Sequence, residues 1–68
     1  MTQEIKRKLT RQNIIDTGYE LINMYGYHAV SIDRIIDEVG LTKGAFYYHF
    51  KNKHHFVSAI IQERISKE

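Results

Sequence analysis

The side chains best able to do chemistry in this sequence are hydrogen-bond donors, and they are concentrated between residues 43 and 53. Six cationic, phenolic or imidazole donors occur there, with no Asp or Glu in the segment: Lys43, Tyr47, Tyr48, His49, Lys51 and Lys53. Cationic and hydroxyl donors of this kind hold phosphate oxygens and read the edges of bases. The pattern therefore favours a polyanionic partner, and its residue types suit a helix that enters the major groove of DNA.

Catalytic and metal-binding chemistry is not indicated. The sequence has no Cys, which excludes disulfides and Cys-ligated zinc. His54 and His55 are adjacent, so on a helix they diverge by about 100° and cannot easily share a metal ion. We find no Ser/His/Asp set, no paired-carboxylate motif and no phosphate-binding loop, and Asp33 and Asp37 read as a hydrated helix face. We therefore expect neither an enzyme nor a cofactor nor a physiological metal site.

A short amphipathic helix is predicted just before the donors, over about residues 32–39. Its apolar residues fall at positions 32, 35, 36 and 39, the spacing of one buried helix face. Ser31 is placed to cap its start. Gly40 follows its last apolar residue, where a helix end favours a positive φ. A tight turn should therefore follow, with Thr42 capping the next helix.

The donors lie on that next helix, predicted over about residues 43–50. Phe46 and Phe50 are one turn apart and predict its buried face, so Tyr47 and Tyr48 must point elsewhere. Gly44 in the first turn lowers helix stability by up to about 1 kcal/mol relative to Ala, but it lets a partner approach the backbone closely. Two helices joined by a short glycine-containing turn predict a helix-turn-helix.

Before this motif, a first helix is predicted over about residues 10–25, with Thr10 as its N-cap and Leu9 and Ile14 as a hydrophobic staple across it. Its inward face would carry Ile14, Ile15, Gly18, Leu21, Ile22 and Tyr25. Gly18 on that face indicates a close helix–helix crossing. Residues 1–9 are predicted as a basic N-terminal arm, and whether they form a mobile arm or an extra helical turn is left open.

A fourth helix is predicted after the motif, over about residues 53–66, with Asn52 as its cap. Its apolar stripe continues to Ile61 and Ile65, which a small core cannot cover. We therefore expect the chain to be one domain of a longer protein. The predicted fold class is all-α: a three-helix, homeodomain-like helix-turn-helix domain over residues 10–68, with the start of a fourth, linking helix.

Charge is distributed unevenly along the 68 residues, although the net charge is only +2. Residues 1–11 carry +3, residues 12–40 carry −4 and residues 41–55 carry +3. Two basic segments that converge on one surface would suit a polyanion, whereas a plain solvated face would look the same in sequence. The chain has no apolar run of membrane-spanning length and no signal peptide, so we expect a cytoplasmic protein.

Two strings of residues resemble a known family. They are Gly26-Tyr27-His28-Ala29-Val30-Ser31-Ile32, and Val39-Gly40-Leu41-Thr42-Lys43-Gly44-Ala45-Phe46-Tyr47-Tyr48-His49-Phe50-Lys51-Asn52-Lys53. The chain from about Thr10 onward closely resembles the DNA-binding domain of tetracycline-repressor (TetR-like) transcriptional regulators. It departs from the usual pattern at His54 and His55, where an acid is frequent, and at Gly18, where Ala is usual.

The resemblance implies a sequence-specific DNA-binding domain of a ligand-responsive repressor that reads a palindromic operator in double-stranded DNA. It implies base contacts by Lys43, Gly44, Ala45 and Tyr47, and phosphate contacts by Ser31, Thr42, Tyr48, His49 and Lys53. It also implies a second domain, absent from this chain, that binds a small-molecule effector and forms the homodimer. Operator, effector, regulated genes and the choice between repressor and activator are not given by the sequence.

A different class of function also fits the exposed aromatic residues. A small helical bundle could use Tyr47 and Tyr48 as a docking patch for a partner protein. The two functions differ in salt dependence, because phosphate contacts make log affinity fall linearly with log salt concentration, whereas a protein-docking patch loses little affinity.

Overall fold

The computed structural model describes residues 3–65 of the chain, with side chains from residue 5 onward. The predicted all-α class is confirmed. The order of elements is α1 (Gln3–Tyr25), a 3₁₀ turn (Tyr27–Ala29), α2 (Ile32–Val39), α3 (Lys43–His49), α4 (Lys53–Ile60) and a π-helical turn (Ile61–Ile65). None of the helices within these residues is both long and apolar enough to cross a membrane.

The first helix begins earlier than the sequence predicted. α1 starts at Gln3, so Thr10 lies inside the helix and the predicted N-cap was wrong. The staple was also wrong, because Leu9 is 54% exposed. Residues 3–9 are mostly good helix formers without Gly or Pro, and nothing in them interrupts the hydrogen-bond ladder. The basic segment is therefore helical from Gln3 onward, and residues 1–2 of the predicted arm lie outside the described residues.

The fourth helix is α-helical over a shorter range than expected. α4 ends at Ile60 and continues as a π-helical turn to Ile65, and residue 66 of the predicted range lies outside the described residues. Ile61 and Ile65 are about half exposed, as the unfinished apolar stripe suggested. Two ion pairs hold this end of the chain to α1: Arg11 with Glu63, and Arg64 Nη1 with Asp16 Oδ1 at 2.7 Å.

Three phenylalanine rings form the centre of the core. The rings of Phe46, Phe50 and Phe56 are fully buried, and their centroids lie 5.0–5.5 Å apart. α1 crosses this cluster at Gly18, where an added Cβ would lie only 2.5 Å from Cε2 of Phe56. The prediction of a close crossing at Gly18 is therefore confirmed, since a larger residue would overlap a buried ring.

One residue predicted to face inward does not do so. Tyr25 is half exposed, and the Arg34 guanidinium carbon lies 4.7 Å from its ring centroid. Tyr25 is the last residue of α1, beyond the part of the helix that covers the core. There the ring can pack against a cation while its hydroxyl stays in water.

The turn between α2 and α3 has the predicted geometry. Gly40 adopts a left-handed conformation (φ 82°, ψ 37°), and the amides of Gly40 and Leu41 both donate to the Ile36 carbonyl. A side chain is strained in this region of backbone space, so glycine suits it. The turn sets the direction in which α3 leaves α2, and hence which of its residues face outward.

Candidate nucleic-acid interface

Three polar side chains form the N-caps of α2, α3 and α4, and the caps predicted at these three starts are confirmed. Ser31 Oγ accepts from the Arg34 amide at 3.1 Å, Thr42 Oγ1 from the Ala45 amide at 3.2 Å and Asn52 Oδ1 from the His55 amide at 2.8 Å. A hydroxyl that accepts such a bond still has its own hydrogen to donate. Ser31 and Thr42 can therefore cap a helix and hold a phosphate oxygen at the same time.

The face of α3 that turns away from the core carries the predicted donors. Lys43, Gly44, Tyr47 and Tyr48 are exposed, whereas Phe46 is fully buried. The two tyrosines are 47% and 65% exposed, which confirms that they point away from the core. The outer face of this helix is thus polar and donor-rich, without a carboxylate of its own.

Gly44 is not required by packing within the domain. An added Cβ would meet only Thr42 Oγ1, at 4.0 Å, and the φ of Gly44 is not in the left-handed region. The position would therefore accept alanine, which is the better helix former. A glycine on an open helix surface permits another molecule to approach the backbone closely.

A groove runs along one flank of α3, and we call it the Ser31 groove. Four predicted contacts, two for bases and two for phosphates, line it together: Ser31, Lys43, Tyr47 and Lys53. The segment from His28 to Asp33 forms its other wall. Residues from three separate helix starts therefore converge on one concave strip beside α3.

Lys53 has partners within the protein that the sequence did not indicate. Its Nζ donates to the Tyr27 carbonyl at 2.6 Å and lies 4.3 Å from the centroid of the Tyr27 ring. The contact joins the start of α4 to the 3₁₀ turn. It also holds the ammonium group at the edge of the Ser31 groove instead of leaving it on a freely moving side chain.

One carboxylate also lies in the Ser31 groove. Asp33 Oδ1 is 3.4 Å from Lys43 Nζ, and both side chains are about 70% exposed. An ion pair this exposed contributes at most about 1 kcal/mol, so Lys43 can exchange it for another anion. Asp33 competes with any such anion for Lys43.

A second groove lies on the opposite flank of α3, between this helix and α1. We call it the α1 groove; it is lined by Lys6, Arg7, Thr10, Leu41, Ala45, Tyr48 and His49. The Arg7 guanidinium carbon lies 5.5 Å from the centroid of the Tyr48 ring. Two cations of the N-terminal basic segment thus lie beside α3, whereas Lys43 and Lys53 line the Ser31 groove. Ala45, a predicted base contact, is half-buried on this flank and less accessible than Gly44.

His49 is the titratable group most affected by this environment. Partial burial lowers its pKa below the usual 6.5, and the nearby positive charges of Arg11 and Arg7 lower it further. Both causes disfavour the imidazolium form. In the free domain His49 is therefore neutral at physiological pH, and a nearby anion would favour its protonation.

His55 both accepts and donates a hydrogen bond at the start of α4. Its Nδ1 accepts from the Lys51 amide at 3.0 Å, while Asn52 accepts from the His55 amide. The pair of bonds resembles a capping box, except that the imidazole nitrogen accepts from the amide of the residue before the N-cap and not from the N-cap amide itself. Within the described part of the chain, no three His, Asp or Glu side chains converge as a metal site would require.

Comparisons with known proteins agree with this geometry. Residues 14–60 match the family described as bacterial regulatory proteins, tetR family. The chain is 41% identical over 63 residues to the transposon Tn10 TetC protein of Escherichia coli, covering 93% of this chain and 32% of that protein. It is 32% identical over 59 residues to the tetracycline repressor protein class C of Escherichia coli, covering 87% and 27%.

A solved structure shares the fold. A crystal structure of a transcriptional regulator of the TetR/AcrR family superposes with a TM-score of 0.81 at 32% identity, covering 87% of this chain and 32% of that one. The chain thus spans about a third or less of the length of these relatives. It belongs to the tetR family of bacterial regulatory proteins, as a DNA-binding helix-turn-helix domain of that family.

Proposed function

We propose that this domain reads a specific DNA sequence by placing α3 in the major groove, as part of a ligand-responsive repressor. The proposed base contacts are Lys43, Gly44, Ala45 and Tyr47. The proposed phosphate contacts are Ser31, Thr42, Tyr48, His49 and Lys53. Of the base contacts, Ala45 has the least exposed side chain, so we assign it contact through van der Waals packing only.

The main observation in support of this proposal is that hydrogen-bond donors line both flanks of α3. The Ser31 groove holds Ser31 and Lys53 on one side, and the α1 groove holds Tyr48 and His49 on the other. The major groove is about 12 Å wide, admits one α-helix and is bordered by a phosphate backbone on each side. A helix with readers on its outer face and phosphate donors on both flanks matches that shape.

Gly44 supports the same conclusion independently. Packing within the domain leaves room for a side chain at Gly44. The lack of a side chain there therefore serves the approach of another molecule from outside. Base edges lie at the floor of the major groove, where a helix must come close for short side chains to reach them. A glycine in the first turn of α3 permits that approach.

The remaining parts of the proposal concern the whole protein. One short recognition helix reads few base pairs, and regulators with this motif gain specificity by pairing two copies on a palindrome. We therefore propose a homodimer, made by sequence beyond this domain, whose DNA affinity is controlled by a small-molecule effector. One relative is a tetracycline repressor and the similar solved structure is a transcriptional regulator. A DNA partner makes the cytoplasm the expected compartment.

Selection of bound sequences from random duplex DNA tests the proposal directly. The 68-residue chain should enrich one short motif, and Lys43→Ala should lose preference at one base position, at about 1–3 kcal/mol. Lys53→Ala should instead weaken binding to all duplexes alike and lower the slope of log affinity against log salt by about one unit.

The same experiment separates DNA reading from the alternative of protein docking through Tyr47 and Tyr48. No enriched motif, together with an affinity for duplex DNA that ignores salt, would refute the proposal and favour the docking patch. If the Lys43→Ala variant selects the same DNA sequence as the parent, α3 is not the helix that contacts the bases. If the Lys53→Ala variant keeps the parent's salt slope, Lys53 is not a phosphate contact.

A further inference from the structure

We propose that Lys6 and Arg7, on the second turn of α1, form an additional phosphate-binding surface that extends the DNA footprint beyond the helix-turn-helix. This inference rests on the proposed function, since it assigns a further contact to the same duplex. The partner is the sugar–phosphate backbone of the strand that borders the α1 groove. These residues lie before the family match, which begins at residue 14, so nothing in that match assigns them a role.

The position of these cations is set by helical structure. Because α1 begins at Gln3, Lys6 and Arg7 are held on a helix that is continuous with the buried part of α1. Both line the α1 groove, opposite Tyr48 and His49 of α3. A phosphate held by Tyr48 or His49 would therefore lie within the same groove as the two cations.

The charge of this surface fits an anion. Among the described residues that line the α1 groove, two are cationic and none is acidic. The nearest described carboxylate along α1 is Asp16, which pairs with Arg64 on the π-helical turn. Neither Lys6 nor Arg7 forms an ion pair with a described side chain of the domain. A pair of cations with no ion-pair partner among the described side chains, placed beside a reading helix, attracts a polyanion.

Arg11, one turn further along α1, has a different role. It pairs with Glu63, and its guanidinium carbon lies 5.2 Å from the centroid of the buried Phe50 ring. Its charge is used within the fold, and only one third of its side chain is exposed. The helix thus separates a structural cation, Arg11, from two cations that face an open groove.

Salt-dependent binding of the 68-residue chain to duplex DNA tests the assignment. Each phosphate contact adds about 0.9 to the slope of log affinity against log salt. We expect Lys6→Gln and Arg7→Gln each to lower that slope by about one unit. Each should also weaken binding to the selected duplex and to unrelated duplexes by the same factor. Lys8→Gln is the matched control: it removes the same charge from the same turn, but Lys8 does not line the α1 groove.

The outcomes are distinguishable. Equal slopes for Lys6→Gln and Lys8→Gln would overturn the assignment even if the parent chain reads a specific sequence. A parent chain without salt-dependent duplex binding would instead overturn the proposed function itself. Because Arg7 packs over the Tyr48 ring, Arg7→Gln could also disturb the fold, so circular dichroism of this variant is recorded. If Arg7→Gln unfolds, the result for Lys6→Gln alone tests the assignment, since Lys6 makes no such ring contact.

Discussion

Replacing Gly44 with alanine should change stability and DNA binding in opposite directions. The position lies in the first turn of α3, and beyond the neighbouring residues and the backbone of the helix itself an added Cβ would meet only Thr42 Oγ1, at 4.0 Å. Alanine there should raise the free energy of unfolding by about 0.5–1 kcal/mol, because it restricts the unfolded chain and favours helix. In a domain of this size that corresponds to a rise in Tm of about 2–8 °C.

The same methyl group should weaken specific DNA binding. If α3 enters the major groove as proposed, the added Cβ stands between the helix backbone and the base edges. Gly44→Ala should then reduce affinity for the selected sequence more than for unrelated duplexes, and Gly44→Leu should abolish specific binding while the domain remains helical. Phosphate contacts on the flanks are untouched, so non-specific affinity and its salt slope should stay near those of the parent.

Gly18 provides the matched control, because it is the other helical glycine of the domain. An added Cβ there would lie 2.5 Å from Cε2 of the buried Phe56 ring. Gly18→Ala should therefore destabilise the domain by about 1–3 kcal/mol through overpacking. Thermal unfolding by circular dichroism and titration of labelled duplexes measure both variants.

Two results would refute this reasoning. A lower Tm for Gly44→Ala would show that the space around Gly44 is not open. Unchanged affinity of Gly44→Ala and Gly44→Leu for the selected sequence would show that the first turn of α3 does not approach the bases, and the proposed reading geometry would be wrong.

Four further substitutions test the polar contacts of the interface and of the start of α4. Asp33→Asn should raise DNA affinity several-fold, because it frees Lys43 from its ion pair and removes a negative charge from the Ser31 groove; weaker binding would argue against Lys43 as a contact. DNA affinity should rise as the pH falls from about 8 to about 6. In the free domain, burial and the charges of Arg11 and Arg7 lower the pKa of His49, whereas a bound phosphate would favour its imidazolium form. Binding therefore takes up a proton, and a lower pH favours it. His49→Gln should flatten that pH profile, and a profile that persists would assign the proton to another group. His55→Glu should raise Tm, because a carboxylate accepts a hydrogen bond from the Lys51 amide better than an imidazole does and is favoured by the positive end of the α4 dipole. His54→Glu is the matched control: it adds the same charge at a position without that hydrogen bond, and should raise Tm less.

Local features of the sequence determined most of the architecture. The caps at Ser31, Thr42 and Asn52 form bonds to amides three residues away, so their effect depends on neighbouring residues only. The left-handed turn at Gly40 and the inward spacing of Phe46 and Phe50 are equally local. The family could also be identified from a continuous string of residues around α3, because helix, turn and donors follow one another in sequence.

The errors at the ends of α1 have a physical explanation. Thr10 has the chemistry of a cap, but a cap forms only where the helix stops, and residues 3–9 continue the helix equally well. Tyr25 continues the apolar spacing of α1, but the core ends before that residue is reached. Periodicity indicates which face could be buried, and the neighbouring helices determine how far along the helix burial extends.

Only the tertiary structure decided which distant residues meet. Lys53 and Tyr27 are 26 residues apart, and Arg64 and Asp16 are 48 apart, so no local pattern pairs them. The division of the donors between the Ser31 groove and the α1 groove likewise depends on how α1, α2 and α4 pack around α3. Sequence spacing specifies the direction of a side chain on its own helix, whereas its partners on other helices are set by the packing of the phenylalanine core.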